Sequence, residues 1–208
     1  MTDAIAEFDR QLDHLVALGH PALAGTTETA FRDGLAPLRE VIATRPDAAV
    51  ERGEDHIPFV LVPTGFPREE AMSRTALGNR QGFTVLEPGE LTTFRPIEGI
   101  TVPVGSGYLL FDIDTGTEFL NVTPQDALVK ITADGRSPLT IDEGIALITV
   151  RPDMLRKNKC FSLLASRCGD KRVPAVWISD RRPKLGWCWN GNPHTWLGSA
   201  HAGERVGA

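Results

Sequence analysis

The sequence predicts an α+β fold, and three observations lead there. Apolar residues recur at helical spacing in two N-terminal stretches, short β-prone runs fill the middle, and the last quarter reads as strands. Helices and strands also come in blocks, without the strict strand-helix alternation of a doubly wound parallel sheet. The expected organisation is one α+β domain over residues 1–202, helical at 3–45 and basic and Trp/Cys-rich at 156–202, followed by a flexible tail at 203–208.

Ile5, Phe8, Leu12 and Leu15 lie three or four residues apart, so they form one stripe of a helix that Gly19 ends. After His20-Pro21 the series Phe31, Leu35, Leu38, Val41 and Ile42 predicts more helix, which Pro37 should kink or split. Ile57 to Val62, with Pro58 and Pro63, reads as a strand near a sheet edge, since proline donates no ladder hydrogen bond. Pro67-Arg68-Glu69-Glu70 reads as a first helical turn, with carboxylates at the positive end of the dipole. Phe83 to Leu86 is a further strand, and Tyr108 to Ile113 with Glu118 to Val122 suggests a hairpin turning at Asp114-Thr115-Gly116. Two capped helices follow, at Thr123-Pro124-Gln125-Asp126 and at Thr140-Ile141-Asp142-Glu143, the second running through Ile145, Leu147 and Ile148 toward Arg151-Pro152. Val173 to Ser179 and Leu185 to Trp189 are strands, joined by the basic turn Arg181-Arg182-Pro183-Lys184.

Composition is that of an ordinary globular protein, 41% hydrophobic and 24% charged. No window reaches the roughly 18 to 20 apolar residues of a membrane span, and the acidic, amphipathic residues 1–19 do not resemble a secretory leader. Three cysteines make a disulfide framework unexpected, so reduced thiols and a cytoplasmic setting are predicted. The charge is unevenly spread: residues 151–208 carry 11 basic and 4 acidic side chains, whereas the whole chain is at −5. That overall balance disfavours nucleic acid as a partner.

Several chemistry-bearing groups fall short of a motif. Cys160, Cys168, Cys188 and His194 are zinc-type ligands, but seven residues separate the first two cysteines and nineteen the next two, without the close pairs of a structural zinc site. Buried cysteines acting as small hydrophobes are the plainer reading, and no metal or other cofactor is assigned. Cys188 with His194 could form a thiol-imidazole pair, although Cys188 lies between Trp187 and Trp189 in a strand-like run. Asp114-Thr115-Gly116 matches an aspartic-protease signature only once, and that chemistry needs two carboxylates, so it reads as a turn. Asp112 and Asp114 share a strand face and could bind a cation, but no neighbour in sequence completes a site.

What remains is a cationic, aromatic surface. Trp177, Trp187, Trp189 and Trp196 are interleaved with Arg167, Lys171, Arg172, Arg181, Arg182 and Lys184, and guanidinium and indole together suit flat anions. The leading expectation is a binding protein that takes an anionic small molecule or a protein partner through Arg167, Arg172, Lys184, Trp187, Trp189, Asn190, His194 and Trp196. The alternative is a metal- or thiol-dependent enzyme using Cys188 and His194.

The runs Cys160-Phe161-Ser162-Leu163-Leu164, Ser166-Arg167-Cys168-Gly169-Asp170, Val173-Pro174-Ala175-Val176-Trp177-Ile178-Ser179, Pro183-Lys184-Leu185-Gly186-Trp187-Cys188-Trp189 and Asn192-Pro193-His194-Thr195-Trp196-Leu197-Gly198 are similar to an uncharacterised actinobacterial domain family. Asp112-Ile113-Asp114-Thr115-Gly116 and Leu120-Asn121-Val122-Thr123-Pro124 extend the resemblance over most of the chain. It implies no activity and no residue roles. Family members often carry a cysteine near the position of His201, an exchange that would favour zinc ligation.

Overall fold

The computed structural model describes the backbone of residues 3–87 and 89–208 and the side chains of those residues other than Pro46 and Asp47. Met1 and Thr2, included in the expected 1–202 unit, lie outside the described residues. The helices are α1 (Ala4–Ala17), α2 (His20–Leu23), α3 (Glu28–Ala43), α4 (Arg68–Arg74), α5 (Pro124–Ala133) and α6 (Ile141–Val150). The strands are β1 (His56–Pro63), β2 (Ala76–Leu77), β3 (Arg80–Gln81), β4 (Phe83–Thr84), β5 (Arg95–Pro96), β6 (Gly107–Asp114), β7 (Ser137–Pro138), β8 (Cys160–Ser162), β9 (Ser166–Arg167), β10 (Arg172–Ser179), β11 (Arg182–Trp189), β12 (Leu197–Ser199), β13 (His201–Ala202) and β14 (Glu204–Val206). N-terminal helices and a strand-rich C-terminal part make this an α+β fold. None of the described helices is long and apolar enough to cross a membrane.

Two sheets carry the molecule. The first runs β1-β6-β13-β7, with β14 also on β6; the second runs β12-β8-β10-β11-β4. Helix α6, apolar around almost its whole circumference, contacts β1 of the first sheet and β10 of the second, which is why Ile141, Leu147 and Ile148 are all buried. Helix α1 begins where Asp3 accepts the Ile5 N–H at 3.0 Å, and it buries Phe8, Leu12 and Leu15. From the same face Gln11, fully buried, accepts the Leu61 N–H at 2.8 Å and donates to the Phe59 carbonyl at 3.2 Å. The side-chain amide thus satisfies the outer edge of β1, which would otherwise leave buried backbone groups unpaired. Helix α3 is not split at Pro37; its stripe Phe31, Leu35, Leu38 and Ile42 stays buried on one side, and that packing holds the helix together across the missing hydrogen bond.

Three further expectations need correction. The first is the hairpin at Asp114-Thr115-Gly116, which does not form. Gly116 adopts φ 72° and the chain turns through a short 3₁₀ segment, Thr117–Phe119, instead of returning along β6. A Cβ at Gly116 would lie 2.0 Å from the Ser199 carbonyl oxygen, so close contact with β12 decides the path. The second concerns residues 203–208, which are not a loose tail: Glu204, Arg205 and Val206 pair with Phe111, Leu110 and Leu109 of β6. Inside, Arg205 donates to both Glu143 oxygens, at 2.5 and 2.8 Å, and Glu143 also accepts from the Tyr108 hydroxyl at 2.9 Å and from the Thr140 N–H at 2.7 Å in the predicted capping box. The third is the strand over Phe83 to Leu86, which shortens to β4, a two-residue parallel partner of β11.

Candidate binding surface of the C-terminal sheet

Strands β10 and β11 form a hairpin whose two-residue turn is Asp180–Arg181, with φ 51° and 60°. Both central residues lie in the left-handed region, as a type I′ hairpin turn requires, so the turn is shorter than the expected basic loop. Directly opposed residues in an antiparallel pair share a face, and the register therefore divides the predicted site. Arg172↔Trp189 and Pro174↔Trp187 lie on one face; Val173↔Cys188, Ala175↔Gly186 and Trp177↔Lys184 lie on the other.

On the first face the charge is already spent. Arg172 is ion-paired with Glu90 and, at 2.8 Å, with Asp170, and its guanidinium lies 5.7 Å from the Trp187 ring centre and 5.8 Å from that of Phe94. The hydrogen bond from Arg172 holds the Glu90 carboxyl below its ordinary range, as expected for a pair that stays ionised. Trp187 and Trp189 meet edge to face at 4.7 Å, and Trp189 remains 47% exposed. Arg172, expected to meet an external anion, is thus neutralised within the chain.

The second face is built differently. Trp177 lies across Gly186, where a Cβ would approach the ring to 2.4 Å, and packs edge to face against Trp196 at 6.0 Å. His194 stands 5.4 Å from Trp196, and its Nε2 is buried without a hydrogen-bond partner. Lys184 Nζ lies 5.1 Å from the centre of the Trp177 ring. Trp177 and Trp196 wall a cleft of about 410 Å³ that also meets Lys157, Asp180 and Arg181. Among the described residues neither Lys157 nor Arg181 has a carboxylate within ion-pair distance. Of the expected set, then, Trp196 walls the cleft, Lys184 and His194 stand beside its two indoles without lining it, Trp187 with Trp189 and Arg172 stand on the opposite face, and Arg167 meets Asn190 at 3.4 Å. Trp177, Arg181 and Lys157 were not in that set. The alternation along β10 and β11 could have placed Trp177 opposite Lys184, but Lys157 arrives from the loop before β8 and carries no such signal.

The three thiols stand in separate surroundings. Cys160 and Cys188 are buried, burial pushes both thiols up from their ordinary value, and Cys188 Sγ lies 3.6 Å from the Ser162 hydroxyl. Half-buried Cys168 is also pushed up by burial and contacts Asp170 at 3.2 Å. Among the described residues no hydrogen bond joins Cys188 to His194, and no three His, Cys, Asp or Glu side chains are grouped to hold a metal ion. His201, the alternative ligand, belongs to β13 in the other sheet, where Arg136 donates to its Nδ1 at 2.6 Å.

Nor do Asp112 and Asp114 form the cation site that their shared strand face suggested. Asp112 has φ 54°; its carboxylate accepts from His56 Nε2 at 2.9 Å and Arg136 at 2.6 Å, and Arg136 also binds its carbonyl. Burial opposes ionisation there, but the Arg136 and His56 hydrogen bonds outweigh it and hold the carboxyl below its ordinary range. The Asp112 carbonyl also accepts the Gly203 N–H at 3.2 Å, so Arg136 and the chain between β13 and β14 share it. Asp114 Oδ1 turns to the Gly116 N–H at 2.7 Å.

Neither a curated protein nor a solved structure matches this chain. Residues 14–208 match the model of a family of unknown function, DUF5701, and the chain belongs to that family.

Proposed function

We propose that the chain is a soluble, cytoplasmic binding protein that takes an anionic small molecule with a flat apolar part between Trp177 and Trp196. The observation that carries this reading is the pairing, in one cleft, of two indole walls with Lys157 and Arg181, cations that no described carboxylate neutralises. Indole offers stacking area to a ring, and a cation beside it draws the acid group that the ring bears. Asp180 at the rim offsets part of that charge and disfavours ligands with no apolar body. The expected binding set moves accordingly: Trp196, His194 and Lys184 stay, Trp177, Arg181 and Lys157 join them, and Arg172, Trp187 and Trp189 leave. Free cysteines fit a reducing cytoplasm, and the net charge of −5 fits a small anion better than nucleic acid. An actinobacterial source belongs to this reading through the C-terminal runs named above.

Tryptophan fluorescence during titration with benzoate and with adenosine monophosphate tests it. Saturable quenching is expected with at least one of them, weakened about tenfold or more, roughly 1.4 kcal/mol, by Trp177→Ala and by Arg181→Gln, but not by Trp189→Ala. Quenching that survives Trp177→Ala unchanged, or none with either anion, contradicts the proposal.

A further inference from the structure

The cleft does not exhaust the positive charge of this region. Arg167, on β9, is half-buried, and its guanidinium is engaged mostly by neutral groups: Nη1 donates to the Leu164 carbonyl at 2.6 Å and the Ser166 carbonyl at 3.0 Å, and Nη2 reaches Asn190 Oδ1 only at 3.4 Å. Nε has no acceptor among the described residues. Among the described residues no carboxylate lies within ion-pair distance of it, whereas Arg151, Arg156, Arg172 and Arg205 each meet at least one. Arg95 lies directly across from Arg167 in the β5–β9 pair and carries a like charge, and burial raises the pKa of the neighbouring Cys188 and Cys168 thiols, so none of the three supplies the opposite charge at neutral pH.

A guanidinium drawn out of water without an opposite charge is costly, and two carbonyl dipoles offset only part of that cost. The Nε and Nη2 edge of arginine is also the edge that grips a carboxylate or phosphate with two parallel hydrogen bonds. Asn190 lies against that edge, and its backbone N–H donates to the Lys171 carbonyl at 2.8 Å, which ties an exposed lysine to the same corner. We propose that Arg167, with Asn190 beside it, is an oxyanion site distinct from the Trp177–Trp196 cleft, and that the phosphate or carboxylate group of a ligand supplies the missing opposite charge. Arg167 takes no part in walling that cleft, so the two sites can fail separately.

Thermal unfolding of the full chain, with chloride replaced by inorganic phosphate or by acetate at constant ionic strength, tests the site. One of the two oxyanions should raise Tm by about 2–4 °C at a concentration roughly five times its Kd, and the rise should grow with the logarithm of concentration, as expected of a ligand that binds only the folded state. Arg167→Gln should abolish the rise. Asn190→Asp places a carboxylate beside the guanidinium, and should raise Tm in chloride while removing the oxyanion response; it decides the matter even where Arg167→Gln fails to fold. Trp177→Ala should keep the response. A larger rise with acetate than with phosphate identifies a carboxylate ligand, and the reverse a phosphate. The site is overturned by no response in the unmodified protein, by an equal response in Arg167→Gln, or by an Asn190→Asp protein that responds like the parent.

Discussion

Arg205 and Arg167 come from the same basic stretch and meet opposite surroundings. Arg205 enters the first sheet with its side chain 7% exposed, between both oxygens of a fully buried Glu143 and the Pro138 carbonyl. Arg167 sits beside the second sheet with two carbonyls, one long contact to Asn190 and, among the described residues, no carboxylate. The first sheet closes its polar groups on one another, holding Tyr108, Glu143 and Arg205 in one network and Asp112, His56, Arg136 and His201 in another. The second leaves Arg167, Lys157 and Arg181 without a carboxylate partner among the described residues and half-exposes its indoles. Equal positive charge therefore has two uses here: enclosed and paired it joins the chain end to the core, and open it is available to a ligand.

That contrast is most exposed to failure at Arg205. Arg205→Met should cost about 3–5 kcal/mol in urea unfolding, because it leaves the Glu143 carboxylate buried without its cation. A loss below about 1 kcal/mol would mean that the network is not what holds β14.

Acid should then separate the buried histidines from the open surface. Burial lowers His20 from 6.5 to about 4, and burial with the neighbouring Arg136 lowers His201. Folded protein thus binds fewer protons than unfolded protein in this range. Stability should be full above pH 6.5 and fall as the pH drops toward 4, with His20 contributing about 3 kcal/mol of the loss. His20→Asn, which can keep a donor to the Leu15 carbonyl where the ring nitrogen lies at 3.1 Å, should flatten that slope in denaturant titrations at pH 7 and pH 5. An unchanged slope would remove His20 from the account. The smallest effect belongs to Trp189→Ala: with half the ring in solvent, stability should change by no more than about 1 kcal/mol in the same urea assay.

Helical spacing made α1, α3 and α6 legible, and local hydrogen-bonding groups made their beginnings legible too. Thr140 and Glu143 form a capping box because the partners are three residues apart and need nothing else. The β10–β11 hairpin was legible as two strands with a basic turn. Which face each tryptophan takes was not read, since that depends on the two-residue turn that sets the register. Gly116 looked like a hairpin turn because glycine serves turns and close backbone contacts alike, and only the presence of Ser199 selects the second role.

From residue order alone came the α+β class, the helix stripes and caps, the reduced cysteines as an expectation, and the concentration of cations and indoles near the C-terminus. These are local or compositional, set by periods of two and 3.6 residues and by neighbours within one turn. Tertiary structure decided which cations are spent. Arg172 finds Glu90, Arg205 finds Glu143 and Arg156 finds Asp55, across separations of 82, 62 and 101 residues. Among the described residues Arg167 finds two carbonyls and Asn190. Ion pairing depends on distance in space, and a chain folded into two sheets brings together charges that its sequence keeps far apart.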